Sequence, residues 1–236
     1  MQSKLDIRLT AVAERVLPGE TAADIGSDHM HLPVYLVNRE ICPLVIATDK
    51  AQAPCVNGRS LINALGMSGQ IDIRCGDGLQ VLQPGEAATI ILTGMGGRLI
   101  KAILDACPDV LDSARRLVLS PQKDPAELRL FLADRGWCII DEQMIFNAGI
   151  YYTVITAEHG DMTLDADEAL YGPCLLKEAP RVFTEYLRRQ LTQVERLRDE
   201  LAASPGANSS ARLAELFAEK EHISAILQNL IHKDSN

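Results

Sequence analysis

No apolar run in these 236 residues is long enough to cross a bilayer, which excludes a membrane-spanning role. Residues 1–15 alternate charges with aliphatics and contain no uninterrupted apolar stretch, which argues against a secretory leader. No C-x-x-C pair occurs. The six cysteines (Cys42, Cys55, Cys75, Cys107, Cys138, Cys174) are scattered, mostly through apolar stretches. That pattern suits reduced thiols in a cytoplasm and offers no metal site. Cations are also in the minority. The net charge is −9, which argues against indiscriminate nucleic-acid binding. It is unevenly spread: residues 1–173 hold 14 basic and 23 acidic side chains, whereas residues 174–236 hold nine of each.

A hydrophobic content of 47% is enough for a buried core. Leu5, Leu9, Val12 and Val16 lie at helical spacing over residues 4–17, and Pro18-Gly19 ends that helix. Strands are expected at 21–26, 44–49, 71–74, 89–93 and 117–120, each followed by a helix-compatible segment. The continuous apolar character of 89–93 suits a parallel strand covered on both faces. Residues 137–146 and 151–157 are β-rich and separated only by Asn147-Ala148-Gly149, which reads as a hairpin closing the sheet with an antiparallel strand. The expected fold is α/β, an open doubly wound sheet rather than a barrel, over residues 1–165.

Residues 166–236 read as helix. Leu187, Leu191, Val194 and Leu201 form one 4-3 seam with Arg198 as its odd member. Leu216, Ile223, Leu227 and Leu230 form another, with Lys220 in the same role. Residues 204–210 read as the loop joining them into a coiled-coil-like hairpin.

Four turns fall at successive strand ends: Asp24-Ile25-Gly26-Ser27-Asp28-His29, the acid Asp49 followed by Lys50, Gly76-Asp77-Gly78, and Thr93-Gly94-Met95-Gly96-Gly97. The backbone N–H groups of the first turn could hold an anionic group of a nucleotide-like ligand. Asp49, one β–α unit later, stands where a carboxylate accepts hydrogen bonds from a ribose diol. A dinucleotide, however, needs G-x-G-x-x-G. Here Gly26 is followed by no second or third glycine, and Asp28 would repel a diphosphate. A ligand with an amino-acid zwitterion and a sulfonium tolerates that acid. Each acid also has a structural alternative: Asp24 as a hydrogen-bond acceptor at a strand end, and Asp49 and Asp77 as turn formers. His29 and His31 could equally be structural.

These turns, with Leu32-Pro33, Gly78-Leu79, the region from Arg8 to Glu14, Gly172-Pro173 and the helical tail, resemble the bacterial tRNA (adenine-22, N1)-methyltransferase family over nearly the full length. The resemblance implies a class I methyltransferase core with a C-terminal coiled-coil domain, S-adenosylmethionine as cofactor and tRNA as partner. It implies no membrane or metal, and a monomer is the favoured state. It places Asp24, Gly26, Asp49, Lys50, Gly76, Asp77, Gly78, Thr93 and Gly94 at the cofactor. Within that set, Gly26 would underlie the methionine part and Asp77 would face the adenine N6. Two departures stand out: Met30-His31 where a small residue and an aromatic are expected, and Ser120-Pro121-Gln122 where some members carry Gln-Pro-Asn.

Adenine N1 has an in-plane lone pair, so its methylation needs positioning and a dry site more than a strong base. The product is cationic. Asp28 is the expected carboxylate stabilising that charge, with His29 or Gln122 orienting the base. Arg181, Arg188, Arg189 and Arg196 cluster on one side of the tail and form the expected RNA surface, with a solvated salt-bridged face as the alternative. A methyltransferase for another RNA position or a small molecule, and a non-catalytic binding protein, are the competing functions.

Overall fold

The computed structural model describes residues 5–27, 29–203 and 209–233. Asp6 caps the first helix, its carboxylate accepting from the Leu9 N–H at 2.7 Å. That helix, α1 (Ile7–Ala13), turns Ala11, Val12 and Ala13 inward. Strands β1 (Ala22–Ile25), β2 (Val45–Asp49), β3 (Ile71–Cys75), β4 (Thr89–Thr93) and β5 (Arg116–Ser120) are parallel, as the apolar run of β4 predicts for that strand. They alternate with α2 (His31–Asn38), α3 (Gln52–Ala64), α4 (Gly97–Asp105) and α6 (Pro125–Asp134), plus the short α5 (Pro108–Ser113). Pro54 sits in the first turn of α3, where its missing N–H is harmless.

The hairpin strands are β6 (Trp137–Asn147) and β7 (Ile150–His159), and the sheet order is β3-β2-β1-β4-β5-β7-β6. The returning strand β7 pairs antiparallel with β5, which leaves β6 at the edge. Alternate residues of each central strand feed two cores. Val45, Ala47, Ile91 and Val118 pack with α1–α3 on one face. Ile46, Ile90, Leu92, Leu117 and Leu119 pack with α4–α6 on the other. The strand order reverses direction between β1 and β4, so their carboxyl ends diverge into a crevice.

The chain divides into units 1–174 and 175–236. The division falls beyond the expected position at 165 because α7 (Ala166–Tyr171) is tied to the sheet unit. The buried Arg129 donates to the Ala169 and Leu170 carbonyls and pairs with buried Glu142 at 2.8 Å. Gly172 has φ +105°, and a Cβ there would lie 2.3 Å from Glu142 Oε2, so only glycine lets the chain pass this carboxylate.

In the second unit, α9 (Arg181–Ala203) and α10 (Ser209–Lys233) pack on each other. Phe183, Leu187, Val194, Leu216, Ile223, Ile226, Leu227 and Leu230 are buried, while Leu191 and Leu201 are only half-buried. The odd members of the seams are accounted for. Arg198 lies 5.6 Å over the Phe217 ring and pairs with Asp199, and Lys220 reaches Glu195 at 3.4 Å. Of the expected loop, residues 204–208 lie outside the described residues, and residues 209 and 210 already belong to α10. The short helix α8 (Pro173–Glu178) spans the division.

Candidate functional site

The carboxyl ends of β1 and β4 enclose a cavity of about 260 Å³ lined by Arg8, Asp24, Gly26, Ser27, Thr93 and Gly94, with His29, Met30 and His31 at its rim. Gly26 takes φ +82°, the left-handed conformation that turns the chain back toward α2. Its N–H and that of Ser27 both donate to the Thr48 carbonyl at 2.8 Å. The first turn therefore does not offer these two donors to an anion, contrary to expectation. The competing acceptor lies on the neighbouring strand, so the local motif gives no sign of it.

The cation in this cavity comes from elsewhere. Arg8 projects from α1, half-buried, with its guanidinium 5.6 Å from the Tyr152 ring centroid. Sequence reasoning counted its region in the resemblance but not the residue as a ligand. A signal was present: Arg8 falls three residues after Leu5 and four before Val12, on the apolar stripe of the helix, where a cation needs a partner. Opposite it, Asp24 is 5% exposed. Burial pushes its carboxyl up to about 6, and the Ser27 hydroxyl and Arg8 hold it back.

The ends of β2 and β3 carry the other expected acids. Asp49 Oδ1 accepts from the Ala51 N–H at 2.7 Å. The turn-forming role is thus real and leaves the second oxygen available. Asp77 Oδ2 meets Lys50 Nζ at 2.6 Å, with both side chains half or more exposed. A cavity of about 220 Å³ lies beside this pair, walled by Gly78, Leu79, Leu99 and Ile103. Gly76 and Gly78 shape the turn that presents Asp77. A Cβ at 76 would lie 2.2 Å from Val81, and one at 78 would lie 2.9 Å from Ile103.

The glycines after β4 have divided roles. Gly94, at φ +78°, faces open space, so a ligand can approach its backbone. Gly97 does not serve a ligand: its N–H donates to Lys123 O at 2.8 Å, and a Cβ would lie 2.3 Å from Asp124 O. It lets the loop after β5 close on the loop after β4, and Gln122 N–H donates to Met95 O at 3.0 Å in the same seam. Gln122 is brought to the site edge with its side chain exposed. His29 is exposed as well, its ring 5.7 Å from that of His31. Asp28 lies outside the described residues. Met30, found where a small residue is expected, is 1% exposed and points at Gly58 of α3, where a Cβ would lie 2.9 Å from its methyl. A glycine on the facing helix accommodates the larger side chain.

The tail arginines stand apart from these cavities in the sequence and in the second unit. Arg181 pairs with Glu185 and Arg196 with Glu200, each at 2.8 Å and four residues apart. Arg188 and Arg189 are exposed on the same helix. Arg181 and Arg196 of the expected RNA stripe are therefore engaged within their own helix. Among the described residues, no group of three or more His, Cys, Asp or Glu is placed to hold a metal, and no helix is long and apolar enough to cross a membrane.

The family model for tRNA (adenine(22)-N(1))-methyltransferase matches residues 22–226. The tRNA (adenine(22)-N(1))-methyltransferase of Bacillus subtilis (strain 168) is 33% identical over 96% of this chain and 98% of its own. The crystal structure of the Bacillus subtilis m1A22 tRNA methyltransferase superposes with a TM-score of 0.83 at 33% identity, covering 95% of this chain and 99% of that one. A candidate tRNA (m1A22) methyltransferase of Streptococcus pneumoniae, in complex with S-adenosyl-L-methionine, superposes with a TM-score of 0.85. It is 30% identical, with 95% of this chain and all of that one covered.

Proposed function

The chain belongs to the tRNA (adenine(22)-N(1))-methyltransferase family, and from that premise we propose how its strand-end cavities carry out the reaction. The protein is an S-adenosylmethionine-dependent enzyme that methylates N1 of adenine 22 in tRNA. The observation that carries the residue-level reading is that Arg8 and the buried Asp24 line one cavity. A cavity holding one cation and one carboxylate is complementary to an amino-acid zwitterion. The fit is supported further by the open backbone at Gly94 and by the apolar slot beside Asp77.

In this reading Arg8 holds the carboxylate of the cofactor's methionine part, and Asp24 accepts from its ammonium. The free oxygen of Asp49 accepts from the ribose diol. Asp77 faces the adenine N6, with Lys50 fixing the carboxylate and Gly76 and Gly78 allowing the turn. Gly26, Thr93 and Gly94 keep backbone close to the reacting region. Bound S-adenosylmethionine supplies an electrophilic methyl group, which an unprotonated ring nitrogen can take without a base. The chain's task is then to orient the adenine and exclude water. His29 and Gln122, both exposed, are assigned to orienting the base. Asp28, next in sequence to Ser27, is the carboxylate assigned to the positive charge that develops on the base. An adenine stacked in folded RNA must also be exposed or flipped to reach this depth.

Incubation with unmodified tRNA and labelled cofactor, followed by nucleoside analysis, tests the reaction: label in 1-methyladenosine at position 22 is expected, and label elsewhere refutes the assignment. The cofactor reading is tested by comparing S-adenosylmethionine with its decarboxylated form and with methylthioadenosine in wild type and Arg8→Met. Wild type should prefer the intact cofactor to the decarboxylated one, and Arg8→Met should lose that preference while binding methylthioadenosine normally. A preference that survives the substitution removes Arg8 from the site.

A further inference from the structure

The tip of the β6–β7 hairpin stands on the same edge as the cofactor cavity. Thr93 of β4 is level with Ser120 of β5, and Leu119 pairs with Ile155 of β7. Strand β7 runs the opposite way, so Tyr151 lies about three residues beyond that level, roughly 10 Å past the sheet's carboxyl edge. The turn is tight, with φ +48° at Ala148 and +87° at Gly149. Phe146 and Tyr151 face each other across the tip with ring centroids 4.6 Å apart. Phe146 is 46% exposed and Ile150 54%. Only ten of the 236 residues are aromatic, and three of them, Phe146, Tyr151 and Tyr152, fall within this one turn. Tyr152 meets Arg8, which lines the cavity itself. Tyr151 and Tyr152 alternate along β7, so Tyr152 faces the cavity side and the Phe146–Tyr151 pair lies on the opposite face of the hairpin.

Charge divides the edge. The β2 and β3 ends carry Asp49 and Asp77. The segments 93–97, 120–123 and 146–152 contain no acid and bring Lys123, while the neighbouring Arg98 is paired with Glu127 at 2.7 Å and Asp124 at 3.6 Å. A polyanion reaching Gly94 meets the least repulsion from this side. An exposed aromatic ring such as Phe146, on a turn without acids of its own, is the chemistry that captures unstacked bases.

We infer that the Phe146–Tyr151 tip is an RNA-binding platform on which a nucleotide flanking the target adenine stacks. The inference rests on the tRNA reading above. It accounts for how an adenine could be held out of its own stack: the tip replaces base–base contact with base–aromatic contact. It also needs no phosphate contact, which an enzyme of net charge −9 is poorly equipped to make broadly.

The test is a set of single substitutions, Phe146→Leu, Phe146→Tyr and Tyr151→Leu, read by tRNA affinity across a salt series and by KM for tRNA. Leucine keeps the apolar packing of the turn and removes the ring face; tyrosine keeps the ring. Each leucine variant should bind tRNA roughly tenfold more weakly or worse. S-adenosylmethionine affinity and the folding midpoint should be unchanged, as should the slope of log affinity against log salt, since no phosphate contact is lost. Phe146→Tyr should behave as wild type. Unchanged tRNA affinity in both leucine variants overturns the inference, and so does a loss accompanied by a flatter salt slope. A leucine variant that changes sedimentation but not tRNA affinity makes the tip a self-association surface, which also overturns it. Wild-type methylation of position 22, measured alongside, keeps a failure here distinct from a failure of the enzyme assignment.

Discussion

Replacing Asp24 with Asn should make the cofactor-free protein more stable at neutral pH while removing part of its function. Asp24 is buried at the end of β1, and burial raises its carboxyl from 3.8 to about 6 against the opposing Ser27 hydrogen bond and the Arg8 charge. A native pKa above the unfolded one means that the native state holds a proton through the window from about pH 4 to 6 that the unfolded chain has released. Stability from this group is therefore fully present below pH 4 and is lost as pH rises through 6. The difference between the two values corresponds to about 3 kcal/mol at pH 7. Asn has the same shape without the charge, so about 3 kcal/mol is the upper bound of the gain. The new amide N–H groups facing Arg8 lower it. Urea unfolding followed through Trp137, the one tryptophan and fully buried in the sheet unit, reads the change in that unit. The gain should be present at pH 7 and vanish at pH 4. A variant less stable than wild type at pH 7, or a gain that persists at pH 4, refutes the reasoning. The same substitution should weaken S-adenosylmethionine binding, as expected where a site retains an unfavourable charge for its ligand.

Asp49→Ala should weaken S-adenosylmethionine binding by about 1–3 kcal/mol. It should also lower the calorimetric folding midpoint slightly, because the Ala51 N–H loses its acceptor. Gly58→Ala should destabilise through its contact with Met30, and Met30→Ala in the same chain should restore much of the loss in thermal unfolding. Arg188→Glu with Arg189→Glu should weaken tRNA binding and flatten its salt dependence while leaving cofactor affinity unchanged; an unaltered salt slope removes the tail from the RNA surface.

The strands, their order of appearance and the acidic turns at their ends were legible because each depends on local periodicity and turn chemistry. Thr89–Thr93 lies where its apolar run places it, Ile71–Cys75 where its alternating Ile71 and Ile73 place it, and the Asn147-Ala148-Gly149 turn closes the hairpin. What was not legible depends on which distant partner a group meets. The Gly26 and Ser27 N–H groups look available in the motif, yet Thr48 O on β2 takes both. Gly96 and Gly97 look like ligand glycines beside Gly94, yet Gly97 is required by the carbonyl of Asp124. Glu142 and Arg129 sit in unremarkable sequence and together attach residues 166–174 to the sheet unit. No spacing rule reports a contact between residues that the fold brings together from separate elements of the chain.

The spent N–H groups of the first turn also bear on which cofactors the crevice can take. A diphosphate at a strand–turn–helix site is held by several free backbone donors and a favourable helix end. Here two of those donors are already satisfied, and the carboxylate of Asp24 stands in the same cavity. At about 5 Å and an effective dielectric of about 20, one carboxylate–phosphate charge pair is unfavourable by roughly 3 kcal/mol. A zwitterion reverses the sign. Its ammonium would turn Asp24 from an obstacle into a partner, and its carboxylate needs one cation, the role proposed for Arg8 of α1. The missing glycines and the misplaced arginine are thus two sides of one requirement. An amino-acid-bearing cofactor needs no diphosphate donors from the first turn but does need a side-chain cation. That cation comes from an element that a dinucleotide site does not use.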